Sequence, residues 1–275
     1  MTDTPSFSNQ RVLITGGASG LGRALALEAA KRGARHIELW DLSKEGLAEA
    51  AGAIPSGTSV STQVVDVSDP ARVTKAANAT LKSHGVMDIV INSAGVVSGK
   101  HFAEVTPEDL DRTFRVNVFS LYWVTQAFLP AMRAQNHGRI VTIASAAGLI
   151  GPARQTDYSA SKHAAVGFME SLRSELRQEK SPVTTLTICP FYVKTGMFEG
   201  VESRNPLLPL LEVSEAVTRM ADAIESSRVE LLLPRMVGAV RLARLLPARW
   251  VDQVADLFGI NHTMDHFTGR AKKTR

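Results

Sequence analysis

Cys189 is the only cysteine of the chain, so no intramolecular disulfide is possible and nothing points to an oxidising compartment. There is no run of eighteen apolar residues, so no spanning helix is expected. Residues 1–10 are polar without an apolar h-region, so no secretory signal is expected. Zinc-finger spacing and an aromatic-basic platform are both missing, which argues against a nucleic-acid partner. His262 and His266 stand four apart with no cysteine or third ligand nearby. They and the other histidines read as surface residues, and no metal is expected. His84-Gly85 and His137-Gly138 read as helix stops. No linker and no internal repeat breaks the chain, so one cytoplasmic domain is expected.

Net charge is also scarce outside one end. From residue 235 onward eight Lys/Arg face three Asp, whereas residues 1–234 carry 23 basic and 24 acidic side chains. The high pI therefore belongs to the tail. Its last residues, 269–275, read as a solvated, partly disordered end, with attraction to an anionic surface as the sharper reading. With 275 residues and 44% hydrophobic content, the chain can bury a full core.

What the sequence does hold is organised around Tyr158 and Lys162. They stand four apart in a stretch, residues 157–178, with an apolar stripe at Ala164, Ala165, Phe168, Leu172 and Leu176. Residues four apart share a helix face. A lysine beside a phenol favours the phenolate and makes the pair a candidate general acid/base.

Residues 11–15 form an apolar, β-branched run followed by Gly16, Ser19, Gly20, Leu21 and Gly22 and then an Ala/Leu-rich helix. Strand, glycine turn and helix N-terminus together make a phosphate cradle. A second strand, residues 36–41, ends in Asp41, about twenty residues past the turn, where a carboxylate accepts the hydroxyls of an adenosine ribose. That carboxylate repels a 2′-phosphate, and Ser19 stands where such a phosphate calls for Arg. Both favour NAD over NADP.

Further strands are expected over residues 60–67, 88–91, 139–144, 182–189 and 229–233, alternating with helices. Asp69-Pro70 and Thr106-Pro107 are helix starts, the second opening one long helix to about residue 135 that contains Asn117. Alternation of this kind predicts an α/β fold: a single Rossmann-like doubly wound domain, with a seven-stranded parallel sheet covered on both faces. The glycine turn, Asp41, Asp66, Asn92, Ser145 and Pro190 all fall at expected strand C-termini, the edge where such sheets bind ligands.

Thr15-Gly16-x-x-x-Gly20-x-Gly22, Asn92-x-Ala94-Gly95, Asn117, Ser145 and Tyr158-x-x-x-Lys162 resemble, in order and spacing, the short-chain dehydrogenase/reductase family over residues 10–234. The resemblance implies that Tyr158 is the acid/base and that Ser145 bonds the reacting oxygen. Lys162 would lower the Tyr158 pKa and hold the nicotinamide ribose, and Asn117 would position a water. It further implies adenine contacts from Asp66 and Val67, adenosine-side contacts from Asn92, and carboxamide contacts from Val193 and Thr195 after Pro190. Phe191 replaces the family's usual glycine and is expected to narrow the pocket.

Residues 92–99, 140–148 and 189–198 look like the retinol dehydrogenase and 17β-hydroxysteroid dehydrogenase branch. The resemblance implies a hydrophobic alcohol, its ketone or aldehyde, and a homodimer or homotetramer built on the helices containing Asn117 and Tyr158. The N-terminal hydrophobic anchor of many such relatives is not expected here. The alternatives are a fatty aldehyde or acyl thioester reductase, and a catalytically silent NAD-binding scaffold. Residues 196–211 stand at the family's lid position. Met197, Phe198, Val201, Leu207, Leu208, Leu210 and Leu211 make that lid apolar, unless they pack permanently on the sheet. Residues 235–275 read as a basic amphipathic extension of the same domain, with residues 235–258 divided by Pro247 into two helices. They cover the cleft, form a subunit contact, or lie on a membrane surface.

Overall fold

The computed structural model describes residues 6–203 and 205–269. The expected solvated end beyond Gly269 lies outside the described residues, apart from Gly269 itself. Among the described residues no helix is long and apolar enough to cross a membrane.

Seven parallel strands form one sheet in the order β3-β2-β1-β4-β5-β6-β7. They are β1 (Arg11–Thr15), β2 (His36–Asp41), β3 (Ser59–Val64), β4 (Ile89–Asn92), β5 (Arg139–Ile143), β6 (Thr184–Pro190) and β7 (Glu230–Leu233). The inner strands β4 and β5 are buried at every position, as a strand covered on both faces must be, whereas no residue of edge strand β3 is fully buried. Helices α1 (Gly20–Lys31), α2 (Lys44–Ala53) and α7 (Val213–Ile224) pack on one face through Leu25, Leu47 and Met220. Helices α3 (Pro70–His84), α5 (Ser120–Ala134) and α6 (Thr156–Gln178) pack on the other through Val73, Phe128 and Met169. Strand order reverses at β1, which lies between β2 and β4, and that reversal opens a crevice at the strand C-termini.

Two sequence expectations are corrected. The third strand stops at Val64 and does not reach Val67. Asp66 accepts from Ser68 N at 2.9 Å and Ser68 Oγ at 2.6 Å, and this side-chain turn competes with the sheet ladder. The long helix after Thr106 is interrupted. It consists of α4 (Pro107–Phe114), a π-helical turn over Arg115–Phe119, and α5. One inserted residue rotates Asn117 inward, where its side chain is held from two sides.

Residues 235–269 pack back on the domain. A 3-10 turn leads into α8 (Ala239–Ala243), and Pro247 precedes α9 (Ala248–Leu257), so the division at Pro247 is as expected. The Arg154 guanidinium donates to the Met264 and Asp265 carbonyls at 2.8 and 3.0 Å and ties the segment down.

Candidate active site

The crevice begins at the glycine turn. A Cβ on Gly22 would lie 2.1 Å from the Gly16 carbonyl oxygen, so only glycine lets the helix start this close to the strand. Gly16 itself has φ +70°, with the main chain of Ala94 against it. Thr15 Oγ1 accepts from Ser93 N and Ala94 N at 3.1 and 3.2 Å, locking the β4 loop to β1. The N-terminus of α1 therefore faces the groove with its unpaired N–H groups, a natural seat for phosphate.

Asp41 ends β2. Its Oδ2 accepts from Ala18 N at 3.1 Å and its Oδ1 from Ser43 N at 3.0 Å, which holds the carboxylate at the groove rim. Gly16, Ser19, Gly20, Leu21, Gly22, Asp41, Asp66, Val67, Ala94 and Gly95 all line the groove. So do Ser145, Tyr158, Lys162, Pro190, Val193 and Thr195. Asn92 does not line it. It is buried at the end of β4, and its side-chain Nδ2 has no partner among the described residues. Asn117 is likewise buried behind the wall. Arg112 on α4 lines the groove and was missed, because nothing in sequence separates it from any other helix-surface arginine. The glycine cradle and the rim carboxylate fit a dinucleotide.

The reactive end is built by β5, α6 and the β4 loop. Ser145, two residues past β5, hydrogen-bonds the Tyr158 phenol and accepts from Ala147 N at 3.1 Å. Lys162 Nζ donates to the Ile143 carbonyl at 3.0 Å and lies 5.6 Å from the centre of the Tyr158 ring. Asn117 Oδ1 accepts from Val96 N at 2.8 Å, while its Nδ2 donates to Val96 O at 2.9 Å and Ser161 Oγ at 3.0 Å. Its side chain is thereby engaged with the β4 loop and α6. Asp157, the second residue of α6, accepts from Ser98 Oγ and Thr113 Oγ1, both at 2.8 Å, and pins α6 to the same loop.

Burial raises the Tyr158 phenol well above its ordinary value, only partly offset by the Ser145 hydrogen bond. Burial pushes Lys162 down to about 8. The expected lowering of Tyr158 by Lys162 is therefore not a property of the chain alone, because the ammonium is aimed at Ile143 and is itself desolvated.

A second cavity opens beside Ser145. It shares Ser145, Phe191 and Phe198 with the groove, and its other walls include Ile150, Pro152, Leu208, Val237, Val240 and Ile260. Phe191 lines both spaces at their junction. Phe198 meets the Tyr158 ring edge-on at 5.8 Å. Of the expected lid, Met197 and Phe198 face the groove, Val201, Leu208 and Leu211 are buried, and Leu207 is exposed. The cavity's polar residues are Ser145, Gln155 and Tyr192; Gln155 Nε2 donates to Tyr192 OH at 2.6 Å, and behind the wall Tyr192 OH lies 2.9 Å from Thr263 Oγ1. No motif announced it, since these residues are far apart in sequence.

Residues 10–206 match the family model for short chain dehydrogenases. The chain belongs to the short-chain dehydrogenase family. Among curated proteins, this short-chain dehydrogenase is 42% identical to epidermal retinol dehydrogenase 2 of Mus musculus, over 98% of this chain and 88% of the relative. It is 36% identical to retinol dehydrogenase 10 of Rattus norvegicus, over 98% of this chain and 87% of the relative. Among solved structures, a short-chain dehydrogenase/reductase from Burkholderia phymatum in complex with NAD superposes with TM-score 0.79 at 30% identity, covering 87% of this chain and 94% of that one. Levodione reductase follows with TM-score 0.77 at 28% identity, covering 85% and 99%. The enzyme is an oxidoreductase of the retinol dehydrogenase branch, acting on CH–OH groups.

Proposed function

We propose that the chain interconverts a hydrophobic alcohol, of retinoid, steroid or long-chain type, with its aldehyde or ketone, using NAD in preference to NADP. The observation that carries this reading is the apolar walling beside Ser145, where a cleft of about 30 Å³ leads off the roughly 290 Å³ dinucleotide groove and has to widen by movement of Phe198 and Leu208 to admit a bulky alcohol.

When bound, the nicotinamide supplies hydride transfer. The protein does the rest. Tyr158 takes the alcohol proton in oxidation and returns it in reduction. Ser145 donates a hydrogen bond to the same oxygen as charge develops on it. Lys162, near 8 by burial, titrates in the working range and passes the proton onward from the Ile143 end of β5. Asn117 is a positioning residue that fixes the β4 loop against α6. The glycine turn seats the pyrophosphate, Asp41 the adenosine ribose, Asp66 and Val67 the adenine, and Ala94-Gly95 the adjoining ribose region, with Asn92 buried at the end of β4 outside the groove lining. Val193 and Thr195, beyond Pro190, meet the carboxamide. The two carboxylate hydrogen bonds of Asp41 leave its charge at the rim, which disfavours a 2′-phosphate.

Residues 235–269 belong to the same functional unit in this reading, because Val237, Val240 and Ile260 wall the cavity. Their outer face carries Leu242, Leu245 and Leu257, which are 71%, 82% and 82% exposed, with Arg235, Arg241, Arg244 and Arg249 alongside. Such a face suits peripheral contact with an anionic leaflet from the cytoplasmic side. A homodimer or homotetramer through α5 and α6 would cover Phe119, the last residue of the π-helical turn, and Tyr122 on α5, both of which stand exposed.

The test is reduction of NAD, followed by absorbance, over a panel running from ethanol to retinol, a steroid alcohol and a long-chain alcohol. Turnover that rises with apolar bulk supports the reading. Turnover of fatty aldehydes or acyl thioesters alone would favour a reductase, and no turnover with any substrate would favour a silent NAD-binding scaffold.

A further inference from the structure

A second cluster of chemistry lies at the N-terminal end of β2, on the sheet edge away from the active site. His36 opens β2 and Glu38 follows two residues later, so both side chains leave the same face of the strand. That face is covered by α3, whose last residue is His84. The His84 side chain is half-buried and stacks on His36 with ring centroids 4.1 Å apart. Both histidines therefore differ from the surface residues expected of them, although Gly85 does end α3 with positive φ.

The carboxylate of Glu38 is fully buried, and its two oxygens do different things. Oε1 accepts from Trp40 Nε1 and Gln63 Nε2, each at 2.9 Å. Oε2 faces the Ser61 hydroxyl and both imidazoles, 3.9 Å from His36 Nε2 and 4.0 Å from His84 Nε2. His36 Nδ1 lies 3.1 Å from Ser59 Oγ. A proton donated there leaves Nε2 as a lone pair aimed at the Glu38 side.

We propose that His36 Nε2, His84 Nε2 and Glu38 Oε2 form a binding site for a borderline divalent cation, Zn2+ by preference. The three ligand atoms lie within 4.8 Å of one another. Two imidazoles and one carboxylate are a recognised zinc donor set, and imidazole nitrogen selects Zn2+ over Mg2+ and Ca2+. Bonds of about 2.0–2.1 Å in a tetrahedral shell place ligand atoms roughly 3.3 Å apart, so each imidazole has to move in by about 0.6 Å and the stacked rings, now 21° from parallel, have to splay so that both lone pairs meet at the ion. His84 is free to do so at a helix end, and its 30% exposed side chain leaves a solvent path for entry and for a water as fourth ligand. Supporting contacts are already in place: Ser59 on His36, and Trp40 with Gln63 on the distal oxygen of Glu38. The Ser61 hydroxyl now bridges His36 and Glu38, and the cation replaces that bridge. Arg11, whose guanidinium lies close to Gly85, adds a nearby positive charge, so micromolar affinity is expected rather than the grip of a four-ligand structural site. The bound ion would staple β2 to the end of α3.

The experiment uses the full chain without a polyhistidine tag, stripped by chelator and titrated with Zn2+ against a chromophoric competitor. One ion per chain, with a rise in Tm, is expected. His84→Ala should weaken binding at least about tenfold while circular dichroism is unchanged. The double variant His262→Ala/His266→Ala should bind as the unaltered chain does. X-ray absorption of the Zn2+-loaded unaltered chain should show imidazole scattering with first-shell atoms at about 2.0–2.1 Å, and this measurement stands even if the His84 variant fails to fold. No saturable uptake, binding indifferent to His84→Ala in a folded variant, or a first shell without imidazole would overturn the proposal.

Discussion

Lys162 Nζ donates to the main-chain carbonyl of Ile143, so the ammonium is anchored at the C-terminal end of β5 and not on the phenol of Tyr158. The two side chains share a helix face, yet the buried lysine and the buried tyrosine are displaced in opposite directions from their ordinary pKa values. Burial disfavours both charged forms, and the proton-handling pair is therefore neutral phenol and easily deprotonated amine in the unliganded chain.

That arrangement has a signature in stability. Lys162 titrates at about 8 when folded, against roughly 10.4 unfolded. Between those values the unfolded chain binds more protons, so stability rises with pH through the window. From about pH 7 to about pH 9.5 the gain is on the order of 2 kcal/mol. Two raised groups oppose it. Buried Cys189, pushed up to about 12, takes back roughly 1 kcal/mol by about pH 9.5, because an unfolded thiol ionises near about 8.5. Tyr158 acts only above about pH 10, so the Lys162 gain is read as the difference between the unaltered chain and the lysine variant. Urea unfolding of the unaltered chain and of Lys162→Met at both pH values checks this. The variant should lose the rise, and parallel pH dependences would refute the burial argument.

Asn117 is the second point of leverage. Its amide satisfies both the N–H and the C=O of Val96 and reaches Ser161 besides. Asn117→Ala leaves those partly buried groups without their partner, at a cost of about 1 kcal/mol. Thermal unfolding should show a lowered Tm. At a temperature where the variant is folded, kcat should fall more than KM for the alcohol rises, because Val96 and α6 shift together. A Tm and kcat both unchanged would remove the positioning role.

Cofactor choice rests on Asp41. Replacing the rim carboxylate with alanine removes the repulsion of a 2′-phosphate. The ratio of kcat/KM for NAD over NADP should drop about 10- to 100-fold in Asp41→Ala. Steady-state assays with each cofactor measure it, and an unchanged ratio would place the discrimination elsewhere.

The outer face of residues 235–257 predicts vesicle binding. Co-sedimentation with phosphatidylserine vesicles should exceed that with phosphatidylcholine and weaken with salt. Leu245→Glu with Trp250→Glu, both at exposed positions, should abolish it without loss of fold. Equal sedimentation of the variant and the unaltered chain would instead leave this face to a subunit contact, which light scattering would then reveal.

Much of this molecule could be read from its residues. β1 and β2 lie where their apolar runs place them, and the polar ends of six strands do converge on one edge. The departures share a cause, which is competition that a linear pattern does not record. Asp66 closes a turn that stops β3 early. An extra residue in a helix leaves helical periodicity almost untouched, so the π turn at Asn117 was invisible. Alternation in β2 marks His36 and Glu38 as facing one way, but only the packing of α3 shows that the way is inward and that His84 waits there. Gln155, Tyr192 and Thr263 meet only because the C-terminal segment folds back.

The most direct test is Tyr158→Phe, assayed by NAD titration and by turnover of a hydrophobic alcohol in the same preparation. The account predicts cofactor binding close to that of the unaltered chain and turnover reduced about 10²- to 10⁴-fold, the scale of a lost acid/base. A variant that keeps more than about a few per cent of the turnover would contradict proton transfer by Tyr158, and with it the reading of the whole site.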